Sequence, residues 1–265
     1  MIHQVIMKKL VLVVLSIVTL CAFEVVQKKV TIYMAGDSTM TNQPLFKHLT
    51  DSITGKTFDE PFPTRGWGQM LPDFFNSEVI IANYAQSGKS TLSFEKEGHW
   101  EKIMDKVQPN DYVVIEFGHN DANPKPDRHT TSEQYESNIR HFLSDVRSKG
   151  AIPILCTPVA RRKFENGKIV LTLTEYAQVC RKISKEDKGL FFIDMEKKGE
   201  KIISELGETG STKLFTTLEP GVNKNFPKGI KEVTHFNEAG ARVMAGEFLT
   251  GLRELKVETL TNYIK

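Results

Sequence analysis

The sequence predicts an α/β domain built as three layers, α/β/α, around a central parallel sheet of about five strands. Three observations carry this. Short apolar runs recur along the chain, they are rich in β-branched residues with little polar alternation, and longer amphipathic stretches separate them. Runs without alternation are how strands buried on both faces read. Strand–helix alternation argues for a parallel sheet covered by helices on both sides.

The N-terminal segment stands apart. Lys8 and Lys9 precede "LVLVVLSIVTLCAF", a run without a charge, and residues 1–22 therefore read as a secretory signal. The run is shorter than the roughly 20 residues that span a bilayer. A retained anchor, a buried helix and lipid attachment at Cys21 are the alternatives, although Leu20 is bulky for the last. The expected location is secreted or periplasmic. Residues 23–265 then form one domain.

The strand candidates are Val30–Ala35, Val79–Ala82, Tyr112–Phe117, Ile152–Cys156 and Leu190–Ile193. Helical patterns cover Trp67–Phe75, His99–Val107, Ser132–Ser148, Thr174–Lys185 and Asn237–Leu252. Residues 40–65 and 207–230 are loop-rich. They are candidate walls of a site, because open α/β sheets bind ligands at the carboxyl ends of their strands.

Composition narrows the function. The formal net charge is only +2, with no block of like charge, so nothing points to nucleic acid. No membrane contact is expected beyond an N-terminal anchor, should that segment be retained. The cysteines are Cys21, Cys156 and Cys180, and no pair has metal-ligand spacing. Cys156 and Cys180 read as buried free thiols rather than a bridge.

One stretch raises a nucleotide reading. In "NYAQSGKST", Gly88-Lys89-Ser90 resembles the tail of a phosphate-binding loop. That loop needs a glycine five residues before Gly88, where this chain has Asn83. It also usually follows the first strand of the fold, and this one follows the second.

The other strand ends supply a better account. The first ends "YMAGDSTM", which places Ser38 after the strand. The third ends "IEFGHND", which places Asn120 there. "KEVTHFNEAGA" puts His235 three residues after Glu232, just before the last helix. In a parallel sheet these positions converge on one rim. A serine hydroxyl is a weak nucleophile until a base takes its proton. His235 can be that base, with Glu232 holding its tautomer. A tetrahedral oxyanion needs donors, and the N–H groups of Ser38 and Gly88 with the Asn120 amide could supply three. Gly88 then has a reason, since without a Cβ its backbone can approach a substrate closely.

Gly-Asp-Ser, a later glycine, Gly-x-Asn-Asp and a carboxylate-x-x-His, in this order, resemble the SGNH (GDSL) hydrolase family over roughly residues 30–250. Its four letters fall on Ser38, Gly88, Asn120 and His235. "AGDSTM", "RGWGQML", "EFGHND" and "THFNEAGA" are most similar to its rhamnogalacturonan acetylesterase branch. The resemblance implies a flavodoxin-like hydrolase that removes acetyl groups from an acetylated polysaccharide such as pectin. It also implies an acyl-serine route without metal or cofactor. One departure concerns the third member: the branch usually has Asp where this chain has Glu232, one methylene longer. Rival readings are an esterase for acetyl xylan or a lipid acyl ester, and a carbohydrate-binding homologue that has lost catalysis.

Other residues read more plainly. Asp37 should hydrogen-bond loop amides, Asp121 should cap the helix or turn after Asn120, and His119 should be packed and hydrogen-bonded. Trp67 reads as core. Arg161 and Arg162, in "TPVARRKF", follow the fourth strand and are candidate contacts for uronate carboxylates, which suit planar guanidinium groups.

Overall fold

The computed structural model describes residues 29–265. The expected signal over residues 1–22, and Cys21 with it, lies outside the described residues. In chain order the strands are β1 (Val30–Gly36), β2 (Phe46–Thr50), β3 (Thr57–Pro61), β4 (Val79–Asn83), β5 (Tyr112–Glu116), β6 (Ile152–Cys156), β7 (Phe164–Glu165), β8 (Lys168–Ile169), β9 (Phe191–Ile193), β10 (Phe215–Leu218) and β11 (Ile230–Phe236). The α-helices are α1 (Thr91–Lys96), α2 (His99–Met104), α3 (Ser132–Ser148), α4 (Thr174–Glu186), α5 (Met195–Gly210), α6 (Glu238–Glu254) and α7 (Glu258–Thr261).

The five strands expected from the sequence form one sheet, in the order β4-β1-β5-β6-β9, and every neighbouring pair is parallel. Both faces are covered. Ile32 and Met34 of β1 pack with Met195, Ile203, Phe248 and Leu252 from α5 and α6. The intervening Tyr33 and Ala35 pack with Tyr135, Ile139 and Phe142 of α3. This alternation is why the runs show no polar face. Each large apolar side chain so buried contributes about 1.5–3 kcal/mol.

Helix limits follow local chemistry. Thr131 caps α3, accepting from Gln134 N while the Gln134 side chain returns to Thr131 N. Asn237 caps α6 through Gly240 N. The segment expected as a helix over Trp67–Phe75 is a 3-10 turn at Trp67–Asp73, and Pro72 inside it lacks an N–H for longer α pairing. The pattern at His99–Val107 stops at Met104. Helices α1, α5 and α7 lie outside the expected helical patterns. α5 buries only a narrow stripe, Met195, Gly199 and Ile203 among its apolar positions, beneath a surface of Lys and Glu. The first loop-rich stretch contains the hairpin β2–β3, and the second contains β10, whose hairpin partner β11 begins where that stretch ends. Cys156 and Cys180 are buried free thiols.

Candidate active site

The chain passes from β1 to β4 on one side of β1, then to β5 on the other. This reversal leaves a crevice at the carboxyl ends of the three strands, where α/β sheets hold ligands. Ser38 follows β1, Gly88 follows β4 and Asn120 follows β5. All three therefore reach one crevice, although 82 positions separate the first from the last in "AGDSTM" and "GHNDA" numbering.

His235 arrives from the β10–β11 hairpin. Its imidazole Nε2 lies 3.0 Å from Ser38 Oγ, and its Nδ1 lies 3.2 Å from Glu232 Oε1. Carboxylate, imidazole and hydroxyl thus form one line. The hydrogen bond to His235 is the first cause that pulls the Glu232 carboxyl below its ordinary range. Gly88 adopts φ +79°, a left-handed conformation that favours glycine. Asn120 donates through Nδ2 to the Lys89 carbonyl at 3.1 Å. The neighbouring letters of the phosphate-loop look-alike serve other ends. Ser90 caps α1, and Lys89 Nζ pairs with Glu97 at 2.6 Å.

These groups line a cleft of about 580 Å³, together with Gln43, Lys47, Phe62, Thr64, Ser87, Arg128 and Phe226. Phe62 and Phe226 stack with ring centroids 5.9 Å apart, and Lys47 Nζ lies 4.0 Å above the Phe62 ring. Arg161 and Arg162 are not in this lining, contrary to expectation. Arg161 turns inward to the His119 carbonyl and Thr172 Oγ1, both at 3.3 Å. Arg162 reaches the Glu208 carbonyl at 2.9 Å. The cleft's guanidinium is that of Arg128, eight positions after Asn120, which sequence reasoning missed because an isolated loop arginine carries no periodic or motif signal.

Residues 32–248 match the family model for GDSL-like lipases and acylhydrolases. The chain belongs to this family. It is similar to the rhamnogalacturonan acetylesterase RhgT of Bacillus subtilis (strain 168), 34% identical over 231 residues, which span 86% of this chain and 92% of the relative. The probable rhamnogalacturonan acetylesterase YesY of the same organism is 30% identical over 88% of this chain and 97% of that protein. Among solved structures, Bacillus subtilis YxiM superposes with a TM-score of 0.68 at 25% identity over 86% of this chain; the match spans 57% of YxiM. Axe2, an acetylxylan esterase from Geobacillus stearothermophilus, shares the fold, with a TM-score of 0.58 at 16% identity over 85% of this chain and 96% of Axe2.

Beneath the serine of this acylhydrolase lies a buried carboxyl pair. Asp37 accepts from Thr39 N at 2.9 Å and from the Thr39 hydroxyl at 2.8 Å. The same hydroxyl lies 3.3 Å from both carboxyl oxygens of Glu116. A threonine hydroxyl has one proton, so it can donate to only one of the two acids. Two ionised carboxylates would repel across it, so the pair holds one proton between them. Burial, then the Asp37 charge, pushes Glu116 up to about 8, and burial raises Asp37 as well. Trp67 Nε1 at 2.9 Å and Val159 N at 3.2 Å donate to its two oxygens. Trp67 is accordingly core, with no exposed surface.

Asp121 holds the Gly88 and Asn120 segments together. It accepts from Thr91 N at 3.1 Å and the Thr91 hydroxyl at 2.6 Å, and from the Thr130 hydroxyl at 2.9 Å. The helix start it serves is that of α1, and through Thr130 it also closes the loop that follows Asn120. His119 is buried, and burial followed by the Arg161 charge holds it neutral. Neither of its ring nitrogens makes a well-aligned hydrogen bond among the described residues, contrary to expectation.

Proposed function

We propose that this acylhydrolase is a serine esterase that removes O-acetyl groups from a plant cell-wall polysaccharide, rhamnogalacturonan in the first place. The observation that carries the chemistry is the 3.0 Å contact between Ser38 Oγ and His235 Nε2, with Glu232 on the opposite ring nitrogen. His235 takes the Ser38 proton as Oγ bonds to the acetyl carbonyl carbon. The carbonyl electrons move onto oxygen. The backbone N–H groups of Ser38 and Gly88 and the Asn120 amide receive that oxyanion. Its collapse breaks the bond to the sugar oxygen, which leaves with the proton from His235. A water molecule, deprotonated by the same imidazole, then attacks the acetyl-serine. Acetate departs and Ser38 regains its proton.

Two lines support the polysaccharide. Two relatives that match more than four-fifths of the chain carry rhamnogalacturonan acetylesterase names. The cleft also offers a ring platform, Phe62 and Phe226, beside the cation Lys47. A flat aromatic surface suits a sugar face, and a cation suits a uronate. Export through the N-terminal segment belongs to the same proposal, since the polymer lies outside the cell.

The test is acetate release from a panel of acetylated polymers, with Ser38→Ala as the control. Release from rhamnogalacturonan that exceeds release from acetyl xylan supports the reading. Equal or greater release from acetyl xylan, or activity that survives Ser38→Ala, rejects it. N-terminal sequencing of the protein from the culture medium tests export.

A further inference from the structure

Asn120 stands between a group that can only accept and a group that can only donate. Its Nδ2 faces the Lys89 carbonyl at 3.1 Å, and its Oδ1 faces Arg128 Nη1 at 3.4 Å. A carbonyl has no proton to give, and a guanidinium has no lone pair to offer. An asparagine amide has two orientations of nearly equal shape, told apart only by such partners. Both partners here select the same one. The flipped amide would set N–H against guanidinium and carbonyl against carbonyl. In the selected orientation one Nδ2 proton goes to Lys89, and the second remains for the cleft.

Arg128 is placed for this. Its Nη2 pairs with Asp127 at 3.1 Å, its side chain lines the cleft, and Nη1 lies 3.5 Å from where a Cβ on Gly88 would stand. Its Nε is buried without a hydrogen-bond partner among the described residues, so the guanidinium's bonds to this wall run through Nη1 and Nη2. It contacts Asn120 and stands beside Gly88, two of the three oxyanion donors. A cation on Oδ1 also draws electron density from the amide, which makes the free N–H a stronger donor.

We infer that Arg128 is a positioning residue for the oxyanion site: it fixes and polarises the Asn120 amide so that its N–H points to the developing charge. This rests on the acyl-serine reading above. It acts through Asn120 rather than on the substrate, and that makes it separable. Residues that act as one unit lose additivity when both are removed.

The experiment is a double-mutant cycle on 4-nitrophenyl acetate, a small neutral ester that offers no carboxylate. Asn120→Ala should lower kcat by about 10²–10³-fold, as loss of one oxyanion donor does elsewhere. Arg128→Ala should lower kcat by about tenfold, the worth of one hydrogen bond to a charged group, with KM unchanged. In the Asn120→Ala background the same change should cost nothing further. Arg128→Lys, which keeps a cationic donor, should regain part of the loss. An equal loss from Arg128→Ala in both backgrounds overturns the inference, as does an effect confined to KM on an acidic polymer. A second readout does not depend on turnover. The Asn120 side-chain NH2 resonances, assigned by their disappearance in Asn120→Ala, should shift and broaden in folded Arg128→Ala. Unchanged resonances overturn the inference whatever the activity. Turnover that survives Ser38→Ala strikes the acyl-serine reading instead, and the resonances still judge Arg128.

Discussion

Glu232 and His235 lie on one strand three positions apart, yet Glu232 Oε1 meets His235 Nδ1 at 3.2 Å. On a regular strand residues i and i+3 point to opposite faces. The β10–β11 pairing resolves this. Phe215 pairs with Phe236 and Thr217 with Lys231, so the segment Glu232–His235 stands opposite Thr216 alone. Extra residues on one strand bulge and re-aim their side chains. The bulge turns acid and imidazole toward each other and toward Ser38. Glu232→Gln keeps the shape and removes the charge that stabilises the imidazolium. It should lower kcat on 4-nitrophenyl acetate by about 10²–10⁴-fold, the upper value being that of a protease triad whose acid was neutralised. KM should change little. A kcat within twofold of the parent would show that the carboxylate is dispensable.

Gly88→Ala separates backbone strain from packing. At φ +79° an alanine is strained, and its Cβ would meet only Arg128 Nη1, at an ordinary 3.5 Å. The cost is therefore conformational, about 1–2 kcal/mol. If the backbone relaxes to avoid it, the Gly88 N–H leaves its aim. A modest fall in Tm with a larger fall in kcat is expected from thermal melts and steady-state rates. A fall in Tm with kcat retained would remove Gly88 from the oxyanion site.

The carboxyl pair under Ser38 predicts how stability varies with pH. Glu116 is raised from 4.5 to about 8 in the fold. A carboxyl raised by folding contributes stability that is full below its unfolded value and is lost as pH rises through the folded one. Tm should thus fall between pH 5 and pH 9. Glu116→Gln removes the titration, so its Tm should be flatter across that window. It should also be lower at pH 5, because one amide oxygen cannot accept from both Trp67 and Val159 at their separate sites. Parallel curves for the two proteins would rule out Glu116 as the titrating group.

Much of this was legible in the sequence, for a physical reason. The sheet strands are buried on both faces, so each is a bare apolar run that stands out. Ser38, Gly88 and Asn120 then follow from topology alone, because the strands they follow are adjacent at the reversal. Side-chain direction was not legible. Arg161 and Arg162 do follow β6, but Arg161 folds under His119, and Arg162 reaches the end of α5, a helix whose narrow apolar stripe hid it from the sequence reading. Arg128 occupies the wall those two were expected to supply, from a loop without periodicity. The Glu232–His235 contact depends on a bulge, and pairing irregularities have no local residue signature here.

Substrate recognition gives the last prediction. Phe62 and Phe226 form one wall of the cleft, with Lys47 above Phe62. A small acetyl ester needs only the serine end, whereas a polymer must lie across the wall. Phe226→Ala should therefore raise KM on acetylated rhamnogalacturonan by about tenfold, roughly 1.4 kcal/mol of lost binding, and leave 4-nitrophenyl acetate unaffected. Lys47→Ala should raise KM on the same polymer and weaken its dependence on salt, because an exposed cation facing a uronate is screened by ions. The salt series distinguishes the two residues: stacking on Phe226 persists at high ionic strength and attraction to Lys47 does not. If both variants alter the small ester as much as the polymer, this wall shapes the catalytic centre itself rather than the path of the sugar chain.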